Sequence, residues 1–240
     1  MKFAVFLSGS LLLFLLSDWT ESVDTVDIKT LARIINFFEQ NYKRVDENGN
    51  PHQYAVAINV PKHQCQQNFK PTNFLTKENA TKVRNAINNE TNGLYIGREL
   101  IAAGRKKVAQ RSYYKHSEYL LLNPVNKSPM TRLLNYRKKD SCSVFYTFYS
   151  PCVKSCLNAT SNNNILGALR RWNRHGGIKA FVFKNIYVQD LDKDLQTEFL
   201  KIAAQVPLYR CPVENQCYAC YGEQNDTIDA RCLPQPSFLA

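Results

Sequence analysis

Apolar residues along this chain change period several times, and each change marks an expected element. Between Val26 and Tyr42 the positions Ile28, Leu31, Ile34, Ile35 and Phe38 recur every three or four residues, which predicts an amphipathic helix with Asp24 and Asp27 favouring its N-terminus. Asp46 to Pro51 is turn chemistry, and it feeds an apolar run from Tyr54 to Val60, bounded by Pro61, that suits a strand. Thr76 to Asn88 reads as a second helix, with Gly93 to Leu100 and Arg105 to Tyr113 as weaker strand candidates.

The pattern turns helical again from Lys115 to Leu122. Ser141 to Tyr149 then sets Cys142, Val144, Tyr146 and Phe148 in alternation, as a strand does, until Pro151 stops it. Proline is well tolerated in the first turn of a helix, so Pro151 to Cys156 predicts one opening directly from the strand end, with Cys152 and Cys156 on a shared face. Ile165 to Arg174 is helical and stops at Gly176-Gly177. A Phe-, Val- and Ile-rich strand from Ile178 to Val188 and a helix from Leu191 to Val206 follow. Strands alternating with helices imply one sheet flanked by helices, an α/β layering. Beyond Pro207 periodicity fades, and Cys211, Cys217, Cys220 and Cys232 crowd a polar segment that bridges rather than a core would have to fix.

The N-terminus has its own pattern: Lys2, an apolar run from Phe3 to Leu16 broken only by Ser8, Gly9 and Ser10, then polar residues to Ser22. This predicts a signal peptide over residues 1–22 rather than a membrane anchor. No second run of membrane length follows, so the expectation is a secreted chain, free of the membrane after cleavage. Residues 23–207 would form the main domain and residues 208–240 a disulfide-rich tail. Five Asn-X-Ser/Thr sequons, at Asn79, Asn89, Asn126, Asn158 and Asn225, agree with a glycosylating secretory route.

Composition narrows the partners. At 240 residues and 44% hydrophobic content the chain can bury one sizeable core, which excludes disordered and fibrous classes. The formal charge of +11 favours an anionic partner, nucleic acid or an acidic cell surface. Arg105-Lys106-Lys107, with Arg111, Tyr113, Tyr114 and Lys115, combines cations for phosphates with rings for bases, as single-stranded nucleic acid requires; a solvated basic face has the same composition. In a second basic cluster, Arg170 to Arg174, Trp172 keeps helical spacing from Leu169 and Ile165 and reads as core.

The candidate chemistry lies in His116-Ser117-Glu118 and in Pro151-Cys152, followed by Cys156 one turn later. Thiolates and a neutral imidazole suit Zn²⁺, and three protein ligands leave a fourth position for water. Glu118, two positions from His116, can stand beside the metal without ligating it and move protons. An intrahelical bridge between Cys152 and Cys156 would be strained, so zinc is the easier use of the pair. The other six cysteines, Cys65, Cys142, Cys211, Cys217, Cys220 and Cys232, allow three disulfides in fifteen possible pairings. Cys217-X-X-Cys220 also has the spacing of a second zinc site, although the tail holds no His.

These residues form an H-x-E and P-C-x-x-C type signature, here with the cysteines at i and i+4. Over roughly residues 90–205 the chain resembles the AID/APOBEC-like branch of the zinc-dependent cytidine deaminase superfamily, and within it the secreted deaminases. The resemblance implies a three-layer fold with a mixed five-stranded sheet, one catalytic zinc on His116, Cys152 and Cys156, and Glu118 as proton carrier. Tyr149-Ser150 stands where the family places an aromatic-Ser pair, with Tyr for the usual Trp. Phe183 to Tyr187 resembles its Ala-Arg-Leu-Tyr strand end, with Asn185 for the Arg and Tyr187 matching the pocket tyrosine. Tyr149, Ser150 and Tyr187 are thus the expected substrate-binding residues, although both tyrosines also suit an ordinary core or rim. The implied reaction is hydrolytic deamination of cytosine to uracil, with single-stranded DNA or RNA as partner. A zinc-containing polyanion binder without turnover, and an adenine or free-nucleoside deaminase, remain alternatives at this stage.

Overall fold

A computed structural model describes residues 25–67, 69–110, 113–221 and 226–235. The expected signal peptide, Asp24, Arg111 and Asn225 lie outside the described residues. The first helix, α1, spans Ile28–Tyr42, and Asp27 caps it by accepting a 2.7 Å hydrogen bond from Thr30 N. Strand β1 covers Ala55–Pro61, and α2 covers Ala80–Asn88 with Asn79 as its cap. The hairpin β2 (Leu94–Ile96) and β3 (Leu100–Ala103) follows. A separate two-stranded ribbon then pairs β4 (Lys106–Lys107) with β5 (Tyr114–Lys115).

Helix α3 is Ser117–Leu122 and α4 is Pro129–Tyr136. The periodicity did not predict α4, because Thr131, Arg132 and Asn135 interrupt its apolar pattern, yet Ser128 as cap and Pro129 at the first position are helix-start chemistry. Strand β6 runs Ser141–Tyr149, α5 Leu166–Asn173, β7 Ile178–Asn185 and α6 Leu195–Ala203. The strand expected to reach Val188 stops at Asn185, where the parallel pairing with Tyr149 ends. Between α5 and β7 the chain reverses at Gly177, whose φ is +89° and where a Cβ would sit 2.2 Å from Ser141 O, so only glycine fits.

The main sheet has the order β2-β3-β1-β6-β7-β8-β9. It is mixed, as expected: β6, β7 and β8 run parallel and the other neighbouring pairs antiparallel. It has seven strands rather than five. The surplus comes from the edges, β2 on one side and β9 on the other. β8 (Leu208–Val213) and β9 (Gln216–Ala219) both belong to the segment after Pro207, which was expected to be fixed by bridges rather than by a core. Parallel strands need long crossovers, which α5 and α6 supply.

Alternation along β6 sorts the two cores. Val144, Tyr146 and Phe148 join Leu31, Ile34 and Phe38 of α1 on one face, while Phe145 joins Leu121, Leu133, Trp172 and Phe199 of α3 to α6 on the other. The result is a helix, sheet, helix sandwich. Trp172 is fully buried, and its indole N–H donates to Ser143 Oγ at 2.8 Å, so the core reading of that cluster holds.

Three disulfides form: Cys65–Cys142, Cys211–Cys217 and Cys220–Cys232. Cys217 and Cys220 are both consumed, which removes the second zinc site from consideration. Cys65–Cys142 spans 77 residues, and closing so long a loop in the unfolded chain is worth about 4 kcal/mol. The double variant Cys65→Ala/Cys142→Ala should therefore lose most of that in a denaturant titration, whereas opening the 6-residue Cys211–Cys217 loop should cost clearly less. Asn79, Asn89, Asn126 and Asn158 are all exposed, as acceptor asparagines must be. Among the described residues no helix is long and apolar enough to cross a membrane.

Candidate metal and catalytic site

The site lies where β6 and β7 end and α3 begins, at the carboxyl ends of parallel strands. His116 occupies the N-cap position of α3 in extended backbone, and Glu118 follows in the first turn with only 1% of its surface exposed. The expected helix from Pro151 is a single turn. Cys156 N and Leu157 N both donate to Cys152 O, at 2.8 and 3.1 Å, and the chain then bends away. Asp190, in the turn that follows β7, pins this single turn by accepting from Val153 N at 2.9 Å.

Cys156 Sγ stands 3.5 Å from His116 Nδ1, and these two atoms and a Glu118 carboxylate oxygen lie within 4.8 Å of one another. Zn–N and Zn–S bonds of usual length at a tetrahedral angle put the two donors about 3.6 Å apart, so this pair already has the edge length of a zinc site. Cys152 is outside that tight group but lines the same cavity, half-exposed, and is the other unbridged cysteine. Burial, with Glu118 and Cys152 close by, pushes the Cys156 thiol well above its ordinary range; burial and Asp190 push Cys152 up as well. Two desolvated thiols beside a carboxylate form a donor set whose electrostatics a divalent cation would complete.

Glu118 is held by three side chains. Its Oε1 accepts from Gln53 Nε2 at 2.9 Å and from Thr147 Oγ1 at 3.2 Å, and its Oε2 accepts from Ser117 Oγ at 3.0 Å. The cavity above it, about 390 Å³, is lined by His116, Glu118, Cys152, Tyr149, Ser150 and Tyr187, with Arg44, His52, Gln53, Arg105, Tyr113 and Tyr114 around the remainder. Of the residues expected at the metal, at the proton step and at the substrate, all line this one cavity except Cys156, which is fully buried beside His116. Tyr149 and Tyr187 have ring centroids 6.1 Å apart, tilted by 59°, and Ser150 Oγ accepts from Tyr187 N at 3.0 Å, tying the two strand ends together. Arg105 packs 4.4 Å over the Tyr114 ring and its Nε donates to Glu90 at 2.6 Å.

A family model described as Secreted Novel AID/APOBEC-like Deaminase 1 matches residues 29–236. The chain belongs to this family. The match takes in nearly all described residues, including β8, β9 and the six bridged cysteines. Family membership supports a deaminase, and the family's description carries secretion. No curated protein and no solved structure matches the chain.

Sequence reasoning missed Gln53, Thr147, Asp190, Arg44 and His52. None belongs to a local motif, and each reaches the site by strand pairing or by a loop that returns to it.

Proposed function

We propose that this chain is a secreted hydrolytic deaminase that converts cytosine to uracil in single-stranded nucleic acid, with one zinc ion on His116, Cys152 and Cys156. The observation that carries the reading is the 3.5 Å approach of His116 Nδ1 to Cys156 Sγ beside a buried, hydrogen-bonded Glu118. Zinc, when bound there, supplies a water of lowered pKa as nucleophile. The chain's residues do the rest. Glu118, engaged by Gln53, Thr147 and Ser117, is better placed to carry protons than to serve as a ligand. Addition of water at C4 and departure of the 4-amino group as ammonia both need a proton moved at the reacting centre, and Glu118 is the carboxylate within the cavity to move it. Tyr149 and Tyr187 supply π-faces to a base taken out of its stack, at an angle that grips an edge as well as a face.

The preference for polymer over free nucleoside rests on the cavity's rim. Glu90 holds Arg105 by Nε and Tyr114 supports its plane, so the terminal guanidinium nitrogens are pre-oriented for a phosphate oxygen. Lys106, Lys107 and Lys115 continue the positive charge along the β4–β5 ribbon. Arg105→Gln should raise the oligonucleotide KM about three- to tenfold, with a smaller penalty on cytidine and a shallower salt dependence.

The deciding experiment is mass-spectrometric base conversion by purified protein of known zinc content on single-stranded DNA, RNA and cytidine. Uracil on the polymers, with cytidine a poor substrate, supports the proposal in full. Conversion of cytidine alone overturns the polymer preference. Bound zinc and nucleic acid without any conversion would make the protein a binder on the same fold.

A further inference from the structure

Gln53 lies just before β1, in a stretch with no motif, yet its side chain hydrogen-bonds to four other residues at the cavity. Its Oε1 accepts from Tyr149 N at 2.8 Å, and its Nε2 donates to Glu118 Oε1 at 2.9 Å and Thr147 Oγ1 at 2.8 Å, with Ser117 Oγ at 3.2 Å. The reason is the ladder. β1 and β6 pair antiparallel down to Ala55 and Thr147, and Phe148 N still finds Tyr54 O at 3.0 Å. One residue further, Tyr149 N meets the Gln53 side chain in place of a backbone carbonyl. An N–H can only donate, so it fixes the oxygen end of the amide, and planarity then directs the NH₂ end at Glu118. The flipped amide would set its oxygen against the carboxylate.

We infer that Gln53 is the positioning residue of Glu118, transmitting the end of the sheet to the orientation of that carboxylate; as a catalytic statement this rests on the deaminase reading above. The amide occupies Oε1, with the Thr147 hydroxyl shared between that oxygen and Tyr149 O, while among the described residues Oε2 has only Ser117 as a protein donor. The Oε1 side of the carboxylate is thus set from the residue pair Gln53, just before β1, and Thr147 of β6, neither of them beside a proposed metal ligand in sequence. The same amide also accepts from Tyr149 N, a contact that fixes which of its ends faces Glu118.

Three variants separate this role from a structural one. Gln53→Met keeps the length and removes both hydrogen-bonding ends; kcat should fall about ten- to a hundredfold with KM within about twofold and zinc content unchanged. Gln53→Glu keeps an acceptor for Tyr149 N but replaces the donor to Glu118 with a second carboxylate. Near-wild-type turnover in Gln53→Glu would show that only the Tyr149 end matters and overturn the inference, whereas a loss at least as deep as in Gln53→Met supports it. In a Glu118→Ala background, Gln53→Met should change the residual rate no further; an additional loss there would mean that Gln53 acts through something other than Glu118.

A readout independent of turnover is the carboxyl carbon resonance of Glu118 in selectively labelled protein, assigned with Glu118→Gln. It should move in Gln53→Met, and an unmoved resonance overturns the inference even in a protein that deaminates nothing. An inactive wild type with a resonance that moves would instead sink the deaminase reading and leave the placement of Glu118 by Gln53 standing.

Discussion

Glu118→Ala is expected to cut base conversion to a small residual rate while leaving metal content unchanged. General acid and base catalysis by one positioned group contributes about 10²- to 10⁴-fold, and both addition of water and loss of ammonia depend on the same carboxylate here. A fall of about a thousandfold or more is the expected size. The metal should stay because His116, Cys152 and Cys156 keep their places: none of them hydrogen-bonds to Glu118, which is held by Gln53, Thr147 and Ser117. Truncation also leaves the Gln53 amide without its charged acceptor, although Thr147 and Ser117 remain beside it, so the cost in stability should be only about 1–2 kcal/mol. The check is uracil formation and zinc content on the same preparation, with thermal unfolding as the control. Loss of zinc together with activity would reassign Glu118 as a ligand, an outcome its closeness to His116 and Cys156 allows.

Where the candidate site is local in sequence, its residues were legible. His116, Glu118, Cys152 and Cys156 sit in two short segments whose spacing survives folding, and the pairing of the other six cysteines left these two thiols free. Tyr149, Ser150 and Tyr187 were legible for a related reason: residues at the ends of neighbouring parallel strands must converge. Gln53 was not, because it lies 65 residues from Glu118 and meets it only through the register of β1 on β6, which no local pattern encodes. Asp190 is the same case, carried to the Cys152 turn by the path of the chain after β7. The strand count failed at the edges. β9 is four residues long with two of them exposed, so it lacks the alternation that marks a half-buried strand, and the cysteines around it drew the reading towards bridges. The turn at Cys152 was read as a helix because proline licenses a helix start, but propensity says nothing of length. Here the chain takes one turn and leaves for α5.

Cys156 carries the second large expectation. The thiol is fully buried and belongs to the same apolar cluster as Leu157, Ile165 and Leu169, so Cys156→Ser exchanges sulfur for a poorly matched hydroxyl at the edge of the core. Zinc content should fall to about a tenth or less of wild type and conversion should vanish. The loss of stability should exceed the packing term, because a metal that binds only the folded chain stabilises it by about 3–4 kcal/mol at a free concentration of 100 to 1,000 times its dissociation constant. The two contributions separate with a chelator. Wild type should lose several degrees of Tm when the metal is stripped, and Cys156→Ser should start from the lower value and lose nothing more. A chelator shift of equal size in both proteins would place the metal elsewhere, and no shift in either would remove it from the fold's stability altogether. Cys152→Ser, at a half-exposed position outside the tight group of donors, should weaken the metal with a smaller effect on the metal-free fold. The contrast between the two cysteines therefore separates what the ion contributes from what the buried sulfur contributes by packing alone.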